Sequence, residues 1–275
     1  MSSRAVLVTG CSSGIGRATA ERLARSGWTV NASARQLDAI APLEEAGCRL
    51  LQLDVTDDGS MSSAVEEIER AEGAVGVLVN NAGYSQSGAL ESVPLDEARR
   101  QFETNVFGLV RLTQLVLPSM RRQGWGRIVN ISSMGGRLTF PGAGWYHASK
   151  HAVEALSDAL RFEVQGFGID VVVIQPGLIR TEFAETAATS IEAQDGPYAA
   201  FDAAVGGITV GGYESAGRLA GGPDAVAKTI ERAISARRPR TRYRVTPSAG
   251  LFMAVRRLLP DRAWDAVVGR TYPKP

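Results

Sequence analysis

The sequence predicts an α/β fold: a doubly wound parallel sheet of about seven strands with helices on both faces. Short runs rich in β-branched residues alternate with longer segments of helical periodicity, a rhythm typical of βαβ units around a sheet buried on both faces. The 275 residues include 44% hydrophobic residues, which supply a substantial core. Glycines also stand where helical segments give way to strand-like runs.

The elements follow in chain order. Strands are predicted at residues 5–9, 29–33, 49–53, 75–79, 127–132, 170–175 and 242–246. Helices are predicted between them at residues 14–26, 37–46, 58–72, 95–123, 146–166 and 224–236. Gly27, Gly47, Gly124 and Gly168 each follow a helical stretch and precede a strand, so we expect left-handed helix caps at these four positions.

No linker or internal repeat divides the sequence, so we expect one domain over residues 1–275. Residues 206–222 hold seven glycines and interrupt the rhythm, which predicts a loop that either lacks fixed structure or acts as a mobile lid. We place this substrate loop or lid at residues 182–222. Residues 247–275 form a C-terminal extension with helical amphipathicity. Four roles are open for it: covering a pocket, joining subunits, touching a membrane surface, or packing on its own domain.

Charge and cysteine content exclude several classes of protein. The 30 lysines and arginines nearly balance 29 aspartates and glutamates, so no global field attracts nucleic acid. Cys11 and Cys48 are too few and too far apart for a CxxC motif, and we expect free thiols in a reducing compartment. No signal peptide or transmembrane run is visible. We therefore expect a cytoplasmic protein.

A glycine-rich turn, Thr9-Gly10-Cys11-Ser12-Ser13-Gly14-Ile15-Gly16, follows the first predicted strand. Glycines there permit a tight turn and let a pyrophosphate approach the backbone amides at the start of a helix. Such turns also arise for packing alone. The position of this one, after a buried strand at the start of an α/β chain, favours a nucleotide-binding Rossmann fold.

Four motifs occur in order along residues 9–181. Gly10, Gly14 and Gly16 match TGxxxGxG, Asn80-Asn81-Ala82-Gly83 matches NNAG, Tyr146-His147-Ala148-Ser149-Lys150 matches YxxxK, and Pro176-Gly177 with Thr181 matches PGxxxT. In these motifs the sequence resembles the short-chain dehydrogenase/reductase family, and its tail resembles the C-terminal extension of the steroid and retinol dehydrogenase branch. The resemblance implies a Rossmann-type oxidoreductase that transfers hydride between a nicotinamide cofactor and a carbonyl or alcohol.

The cofactor is predicted from the end of the second strand, where a carboxylate would favour NAD(H) and an arginine favours the 2′-phosphate of NADP(H). Ala34 stands where NAD-preferring relatives have the acidic residue, and Arg35 follows it. NADP(H) is therefore favoured over NAD(H), with Ser12 and Ser13 as further hydrogen-bonding groups. Arg17 is a weaker candidate, because a solvated surface charge explains it equally well.

The resemblance implies further cofactor contacts. Asp54 would accept from the adenine amino group and Val55 would line the base, although Asp54 also suits an Asx turn. Asn81, Ala82 and Gly83 would hold the adenosine side, or form a turn that ends a strand. Pro176, Gly177 and Thr181 would contact the nicotinamide, with helix capping as the alternative for Thr181. The remaining cofactor-binding residues are Gly10, Gly14, Ile15 and Gly16 of the glycine-rich turn, together with Tyr146 and Lys150.

Tyr146 and Lys150 lie four residues apart at the start of a predicted helix, so both reach one ligand. An adjacent ammonium is expected to lower the pKa of the tyrosine toward the working range. Ser133 ends the fifth strand and is suited to hold a substrate carbonyl, with Ser132 as the competing choice. By resemblance, Asn105 is the fourth catalytic residue, which kinks its helix and binds a water linked to Lys150.

These residues predict an NADP(H)-dependent carbonyl reductase or alcohol dehydrogenase with Tyr146 as general acid and base. Apolar residues beside the catalytic group and after Thr181 suggest a small hydrophobic ketone or secondary alcohol as substrate. They are Tyr84, Met134, Phe140, Trp145, Leu178, Phe183, Tyr198 and Phe201. We expect a homodimer or homotetramer. The alternatives are an epimerase or dehydratase on the same fold, and a non-catalytic NADP(H)-binding sensor.

A metal site is not expected. His147 and His151 have the i,i+4 spacing of a metal pair, but the sequence arranges no third ligand with them. Surface or packing histidines explain the pair better.

Overall fold

The computed structural model describes residues 3–191 and 196–274. Within them, seven strands form one parallel sheet: β1 Ala5–Val8, β2 Thr29–Ala34, β3 Arg49–Gln52, β4 Val77–Asn80, β5 Gly126–Ile131, β6 Ile169–Pro176 and β7 Arg242–Val245. Their spatial order is β3-β2-β1-β4-β5-β6-β7. This confirms the predicted Rossmann sheet. The strand order reverses between β1 and β4, where doubly wound sheets open a crevice at the carboxyl ends of the strands.

Helices connect the strands and extend beyond β7. They are α1 Gly14–Arg25, α2 Pro42–Glu45, α3 Asp58–Glu72, α4 Leu95–Phe102, α5 Gly108–Gln123, α6 Gly144–Val164, α7 Phe183–Thr189, α8 Ala199–Ser215, α9 Pro223–Ser235, α10 Pro247–Leu258 and α11 Asp261–Val268. Gly27, Gly47, Gly124 and Gly168 all have φ between 68° and 88°. The four predicted left-handed caps are therefore confirmed.

The sheet is buried on both faces by successive side chains of each strand. Val6 and Val8 point to one face, where they join buried residues of α1 and α9 such as Leu23 and Ile230. Leu7 points to the opposite face, which is covered by α3, α5 and the end of α6. The alternation of neighbouring side chains between two apolar layers explains why the strands carry so few exposed residues.

The predicted helix at residues 95–123 is interrupted. A π-helical turn over Glu103–Phe107 separates α4 from α5 and carries Asn105. Such a turn inserts an extra residue and is frequent at functional sites. The kink that the resemblance implies at Asn105 is therefore present.

The prediction of a loop at residues 206–222 is wrong for residues 206–215, because α8 extends through Gly206, Gly207, Gly211 and Gly212 to Ser215. Tertiary packing overrides the low helix propensity of glycine here. Phe201 and Val205 of α8 pack on Ala89, and the Asp202 carboxylate accepts from the Ala89 N–H at 2.8 Å. Residues 192–195 of the predicted 182–222 segment lie outside the described residues.

The C-terminal extension packs on its own domain. Met253 of α10 and Trp264 of α11 join Met134 and Leu138 in one apolar cluster, and the indole N–H of Trp264 donates to the Thr139 carbonyl at 3.2 Å. The extension therefore covers the segment that follows β5. None of the helices in the described ranges is long and apolar enough to cross a membrane.

A buried carboxylate fixes the middle of α6. Glu154, whose side chain is 3% exposed, accepts from the guanidinium groups of Arg137 (2.9 Å) and Arg242 (2.9 Å). It also accepts from the Gln175 amide at 2.8 Å. These bonds join α6 to β6, β7 and the segment after β5, and so hold the helix that begins near Tyr146 against the sheet.

Candidate active site

The turn between β1 and α1 is shaped by close backbone approach. Gly10 and Gly14 have φ of +69° and +52°, a region that favours glycine. A Cβ on Gly16 would lie 2.1 Å from the carbonyl oxygen of Gly10, so no larger residue fits there. Ser13 precedes α1 without a side-chain capping bond. The amides of Ile15 and its neighbours at this helix start therefore suit a pyrophosphate.

A threonine and an asparagine brace this turn against the end of β4. The Thr9 hydroxyl accepts from the backbone N–H groups of Asn81 and Ala82, both at 3.0 Å. The Asn81 amide donates to the carbonyls of Thr9 (2.8 Å) and Gly10 (3.1 Å). Sequence reasoning assigned no role to Thr9, although it opens the glycine motif. The crevice between β1 and β4 is thus held by side chains rather than by the strands alone.

Arg35 lies at the same edge of the sheet. It follows β2, and its side chain is exposed. The Cys11 N–H donates to the Ser33 carbonyl at 2.9 Å, which seats the glycine-rich turn beside the end of β2. Arg35 and the exposed Ser12 therefore flank one surface.

Arg17 is held at this edge more firmly than the sequence indicates. Its Nη2 donates to the carbonyls of Ser12 (2.6 Å) and Ala39 (2.9 Å), which joins the loops after β1 and β2. Its Nε is buried and has no hydrogen-bond partner among the described residues. A buried, unpaired guanidinium nitrogen is costly, so this edge fits an anionic group. The cradle around Gly16 and this orphaned nitrogen both fit a dinucleotide.

At the end of β3, the Asp54 carboxylate forms the local turn that the sequence allows. Its Oδ1 accepts from the backbone N–H (2.9 Å) and the hydroxyl (2.7 Å) of Thr56. Val55 is buried, and its carbonyl oxygen would lie 2.2 Å from a Cβ on Gly108. The Asx turn is therefore formed, and the adenine contacts of both residues stay predictions.

Ser133, Tyr146 and Lys150 meet above the carboxyl end of β5. The Ser133 hydroxyl accepts from the Gly135 N–H at 3.0 Å and lies near enough to the Tyr146 phenol to lower the pKa of that phenol. The Lys150 ammonium lies 5.8 Å from the centre of the Tyr146 ring and donates to the Ile131 carbonyl at 2.9 Å. The structure thus brings together the three residues that the sequence selects as the chemical core. The competing Ser132 has its Oγ buried, with no partner among the described residues.

Burial dominates the acid–base properties of the pair. It raises the pKa of Tyr146 to about 12, against the lowering effect of the Ser133 hydrogen bond. It also lowers the pKa of Lys150 to about 8. The Lys150 ammonium is not among the causes of the Tyr146 shift, so the expectation that it lowers the pKa of the phenol stays a prediction. The phenol therefore holds its proton at neutral pH.

Asn105 positions the loop beside Lys150. Its Oδ1 accepts from the Tyr84 N–H (3.0 Å), and its Nδ2 donates to the Tyr84 carbonyl (2.9 Å) and the Ser149 hydroxyl (3.1 Å). A Cβ on Gly83 would lie 2.9 Å from Asn105 Oδ1 and 3.5 Å from Lys150 Nζ. A glycine at position 83 therefore leaves open the space between the asparagine and the ammonium.

The loop after β6 is braced from behind. A Cβ on Gly177 would lie 2.3 Å from the Ser248 hydroxyl, which accepts from the Leu178 N–H at 3.0 Å. Thr246 has φ +82°, strained for a β-branched residue, and its hydroxyl shares a 2.8 Å hydrogen bond with Ser248. Nothing in the sequence predicts this support, since glycine would be the expected residue at position 246.

The start of α7 lies over the site. The methyl group of Thr181 would lie 3.3 Å from a Cβ on Gly14, so the loop after β6 reaches the glycine-rich turn. The Thr181 hydroxyl accepts from the Phe183 N–H at 3.3 Å, as in the capping alternative. The Phe183 ring packs on Tyr146 with centroids 5.4 Å apart. An apolar side chain therefore covers the phenol.

Five of the predicted pocket residues fall into two apolar clusters. Met134, Phe140 and Leu178 join the apolar cluster formed with α10 and α11. Tyr198 and Phe201 join Ala89 and Val205 beneath α8. Tyr272 packs against both clusters, so the C-terminal segment contacts both walls.

The two histidines of α6 point to backbone groups. The His147 Nδ1 is 3.0 Å from the Gly135 carbonyl, and the His151 Nδ1 is 2.8 Å from the His147 carbonyl. Within residues 3–191 and 196–274, no three histidine, cysteine, aspartate or glutamate side chains are grouped to hold a metal ion.

Residues 4–192 match the family model described as short chain dehydrogenase. The chain belongs to the short-chain dehydrogenase/reductase family. One relative, the NADPH-dependent 3-dehydrocapnine reductase of Ornithobacterium rhinotracheale, is 38% identical over 96% of this chain and 95% of the relative. The 3-ketodihydrosphingosine reductase of Bacteroides thetaiotaomicron is 43% identical over 67% of each chain.

A similar solved structure is a short chain dehydrogenase/reductase from Burkholderia phymatum in complex with NAD. It superposes with a TM-score of 0.80 at 27% identity, covering 98% of this chain and 96% of that one. As a short-chain dehydrogenase/reductase, this chain is an oxidoreductase that uses a nicotinamide dinucleotide. The family includes members that use NADPH and members that bind NAD.

Proposed function

We propose that this chain is an NADP(H)-dependent carbonyl reductase that acts on a hydrophobic ketone or, in reverse, a secondary alcohol. The observation that carries the proposal is that Ser133, a protonated Tyr146 and Lys150 meet at the end of β5, with Lys150 Nζ 5.8 Å from the centre of the Tyr146 ring. A neutral phenol is the acid that carbonyl reduction requires.

Each residue performs a separate part of the chemistry. Ser133 and Tyr146 hold the carbonyl oxygen and orient the reacting carbon. Tyr146 donates its proton to that oxygen as negative charge develops on it. Lys150 stabilises the charge left on the phenolate and has further N–H groups for ribose hydroxyls. When bound, the dinucleotide supplies the hydride. Phe183 excludes water from the phenol.

Two cations support a preference for NADP(H). Arg35 is exposed beside the end of β2, and Arg17 has a buried, unpaired Nε at the same edge. Guanidinium groups pair bidentately with phosphate, which matches the extra phosphate that distinguishes NADP from NAD. We expect Arg35→Ala to raise the KM for NADPH about tenfold and to leave the KM for NADH unchanged. Arg25→Ala, which removes an exposed arginine at the far end of α1, is the matched control.

Two apolar clusters that contain predicted pocket residues support a hydrophobic substrate. One is built from Met134, Phe140 and Leu178 with the C-terminal helices, and the other lies beneath α8. Two relatives are named as reductases of a 3-dehydro and a 3-keto compound, 3-dehydrocapnine and 3-ketodihydrosphingosine. We therefore take 3-ketodihydrosphingosine as the first ketone to test, with aromatic and aliphatic ketones beside it.

The test is oxidation of NADPH by the purified protein in the presence of each ketone, with NADH as a control. We expect NADPH-dependent turnover that is lost in Tyr146→Phe, while the Kd for NADPH changes little. Turnover that survives in Tyr146→Phe would refute the mechanism. Tight NADPH binding without turnover of any ketone would favour the nucleotide sensor, and product formation without net NADPH consumption would favour the epimerase.

We also propose that the chain is a homo-oligomer of a reducing compartment such as the cytoplasm. Large apolar side chains stand exposed on neighbouring elements, with Phe162 of α6 at 76% and Phe107 of the π-helical turn at 55% exposure. Such a surface is typical of a protein contact. Cys11 and Cys48 are buried free thiols, which supports a reducing environment.

A further inference from the structure

Helix α10 carries apolar side chains on two opposite faces. The inner face packs on the domain, because Ala249 and Met253 are buried in the cluster that contains Met134. Leu251 and Leu258 point outward and are 48% and 81% exposed. Residues three or four apart lie on one side of a helix, so the exposed residues at this spacing form one surface. This surface, the outer face of α10, consists of Pro247, Leu251, Ala254 and Leu258.

The most exposed part of the outer face is held in place by Arg256. Its guanidinium donates to the Leu259 carbonyl at 3.1 Å and to the Asp261 carboxylate at 2.6 Å, and so joins the end of α10 to the start of α11. It also lies 5.9 Å from the centre of the Trp264 ring. Leu258 is therefore presented at a fixed position on a packed helix rather than on a free tail. Large apolar side chains held open to solvent in this way are typical of a contact surface.

A short turn beside α10 adds to the exposed apolar area. The 3₁₀ turn Gly217–Leu219 packs next to α10, and its Leu219 is 38% exposed. Behind this turn, the Gly221 N–H donates to the Leu178 carbonyl and the Arg180 N–H donates to the Gly221 carbonyl, both at 2.9 Å. Leu178 and Arg180 belong to the loop after β6. The outer face of α10 therefore lies near a loop of the candidate active site.

The C-terminal extension is positively charged. Residues 247–274 contain four arginines and one lysine but only two aspartates, in a chain whose formal net charge is +1. Of these five cations, Arg256 alone forms an ion pair in the part of the chain that the structure describes. Arg257 is exposed on α10 directly before Leu258, and Arg218 is exposed directly before Leu219. Unpaired arginines therefore stand next to the exposed leucines.

An apolar face with unpaired cations fits an anionic lipid bilayer better than a second copy of the chain. In a twofold contact the same patch meets itself, so Arg257 would approach its own counterpart without a carboxylate between them. At a bilayer, leucines enter the boundary of the acyl chains while arginines extend to lipid phosphates, and each cation adds to the attraction. No helix in the described ranges is long and apolar enough to cross a membrane, so such a contact is peripheral.

We propose that the outer face of α10 docks on an anionic lipid bilayer, with Leu251 and Leu258 inserted at the interface and Arg257 paired with lipid phosphates. Few apolar side chains take part, so docking is reversible. This proposal goes beyond the proposed reductase activity and does not depend on it. If both hold, the loop after β6 lies close to the bilayer, from which a hydrophobic ketone would be drawn.

Co-sedimentation of the purified full-length chain with vesicles measures docking directly. One set of vesicles is phosphatidylcholine alone, and the other mixes phosphatidylcholine with phosphatidylglycerol. We expect binding to the mixed vesicles and at least about tenfold weaker binding to phosphatidylcholine alone, since only the mixed surface attracts the arginines. Binding should also weaken as salt is raised from about 0.1 M to about 1 M, because the Debye length falls from about 10 Å to about 3 Å.

Two variants separate the apolar from the electrostatic contribution. Leu251→Ser/Leu258→Ser should lower the affinity for mixed vesicles at least about tenfold, because the burial of one leucine is worth about that factor. Arg257→Glu should lower it about tenfold and leave binding to phosphatidylcholine alone unchanged. The matched controls are Leu95→Ser, at a 58% exposed leucine that begins α4, and Arg70→Glu, at an exposed arginine of α3. Neither control should change vesicle binding by more than about twofold, since charges beyond a Debye length are screened.

Failure of the wild-type chain to bind the mixed vesicles would overturn the proposal, as would binding that the leucine variant keeps or that the controls lose equally. A lower light-scattering mass of Leu251→Ser/Leu258→Ser without vesicles would overturn it in favour of a contact between copies. The assay needs neither cofactor nor turnover. Vesicle binding without reduction of any ketone therefore leaves docking established while the proposed reductase activity fails, and ketone reduction without vesicle binding has the opposite meaning.

Discussion

Helix α8 contains two pairs of adjacent glycines, Gly206-Gly207 and Gly211-Gly212. Replacing one glycine of each pair by alanine tests whether these glycines make the helix only marginally stable against local unfolding. Gly207 and Gly212 lie inside α8 at helical φ, and a Cβ added to either would meet no atom within 4 Å. Alanine therefore fits both positions without strain. Each Gly→Ala change in a helix interior stabilises the helix by about 1 kcal/mol, so the double variant gains about 2 kcal/mol. That energy corresponds to about a 30-fold lower population of the open helix.

Amide hydrogen exchange over Ala199–Ser215 measures this population directly. We expect protection in Gly207→Ala/Gly212→Ala to rise about 30-fold at equal pH and temperature. Ala203→Gly, at an exposed position of the same helix, is the control with opposite sign and should lower protection about fivefold. Unchanged exchange in both variants would refute the argument that glycine content sets the stability of α8.

The same variants test the predicted lid. The Asp202 carboxylate of α8 accepts a hydrogen bond from the Ala89 N–H in the loop after β4. In the same loop, the Ser87 N–H donates to the hydroxyl of Ser190, which follows α7, at 2.9 Å. If α8 must open for substrate entry or product release, kcat will fall in the double variant as protection rises. Slower exchange with an unchanged kcat would show that α8 is a fixed wall of the site.

Three further predictions concern pH, the buried carboxylate and the exposed apolar surface. Between pH 6.5 and pH 4 the unfolded chain binds a proton at His147 that the folded chain does not. As the pH is lowered through this range, the unfolding free energy therefore falls by up to about 1.4 kcal/mol per pH unit. This slope should be shallower in His147→Gln when urea unfolding is measured at each pH. Glu154→Leu removes the buried partner of Arg137 and Arg242, which keep Asp158 as an ion-pair partner, and should cost about 1–3 kcal/mol in urea unfolding. Arg161→Ala breaks a more exposed pair and should cost under about 1 kcal/mol, so equal losses would contradict the argument from the burial of Glu154. Phe162→Lys should lower the assembled mass in light scattering while the melting temperature of the monomer is kept, and an unchanged mass would exclude Phe162 from a subunit contact.

The sequence predicted the structure correctly where a position accepts only one residue type for a physical reason. Gly27 and Gly168 were predicted as left-handed caps because no Cβ opposes a positive φ, and the structure has them there. Ser133, Tyr146 and Lys150 were selected from the resemblance of the motifs to the family together with strand position, and the structure brings them together at the end of β5. These signals are local in sequence and survive any arrangement of the rest of the chain.

Where several interactions compete, the sequence was a poorer guide. Glycine pairs predicted a loop at residues 206–222, but the burial of Phe201 and Val205 makes α8 a helix. Burial raises the pKa of Tyr146 to about 12, and this burial comes from elements that lie far from Tyr146 in the chain. Helix propensity and the interaction of two charges each contribute a few kcal/mol at most. The free energies of packing and burial are of comparable size and reverse these local preferences.

By itself, the sequence determined the alternating strands and helices, the glycine-rich turn and the spacing of the catalytic group. Only the tertiary structure decided that Arg17 Nε and His147 Nε2 are buried without a partner in the part of the chain that the structure describes. It also decided that Thr246 is strained behind the loop after β6. Periodicity and spacing are properties of neighbouring residues, whereas burial and hydrogen-bond satisfaction depend on elements that are distant in the chain.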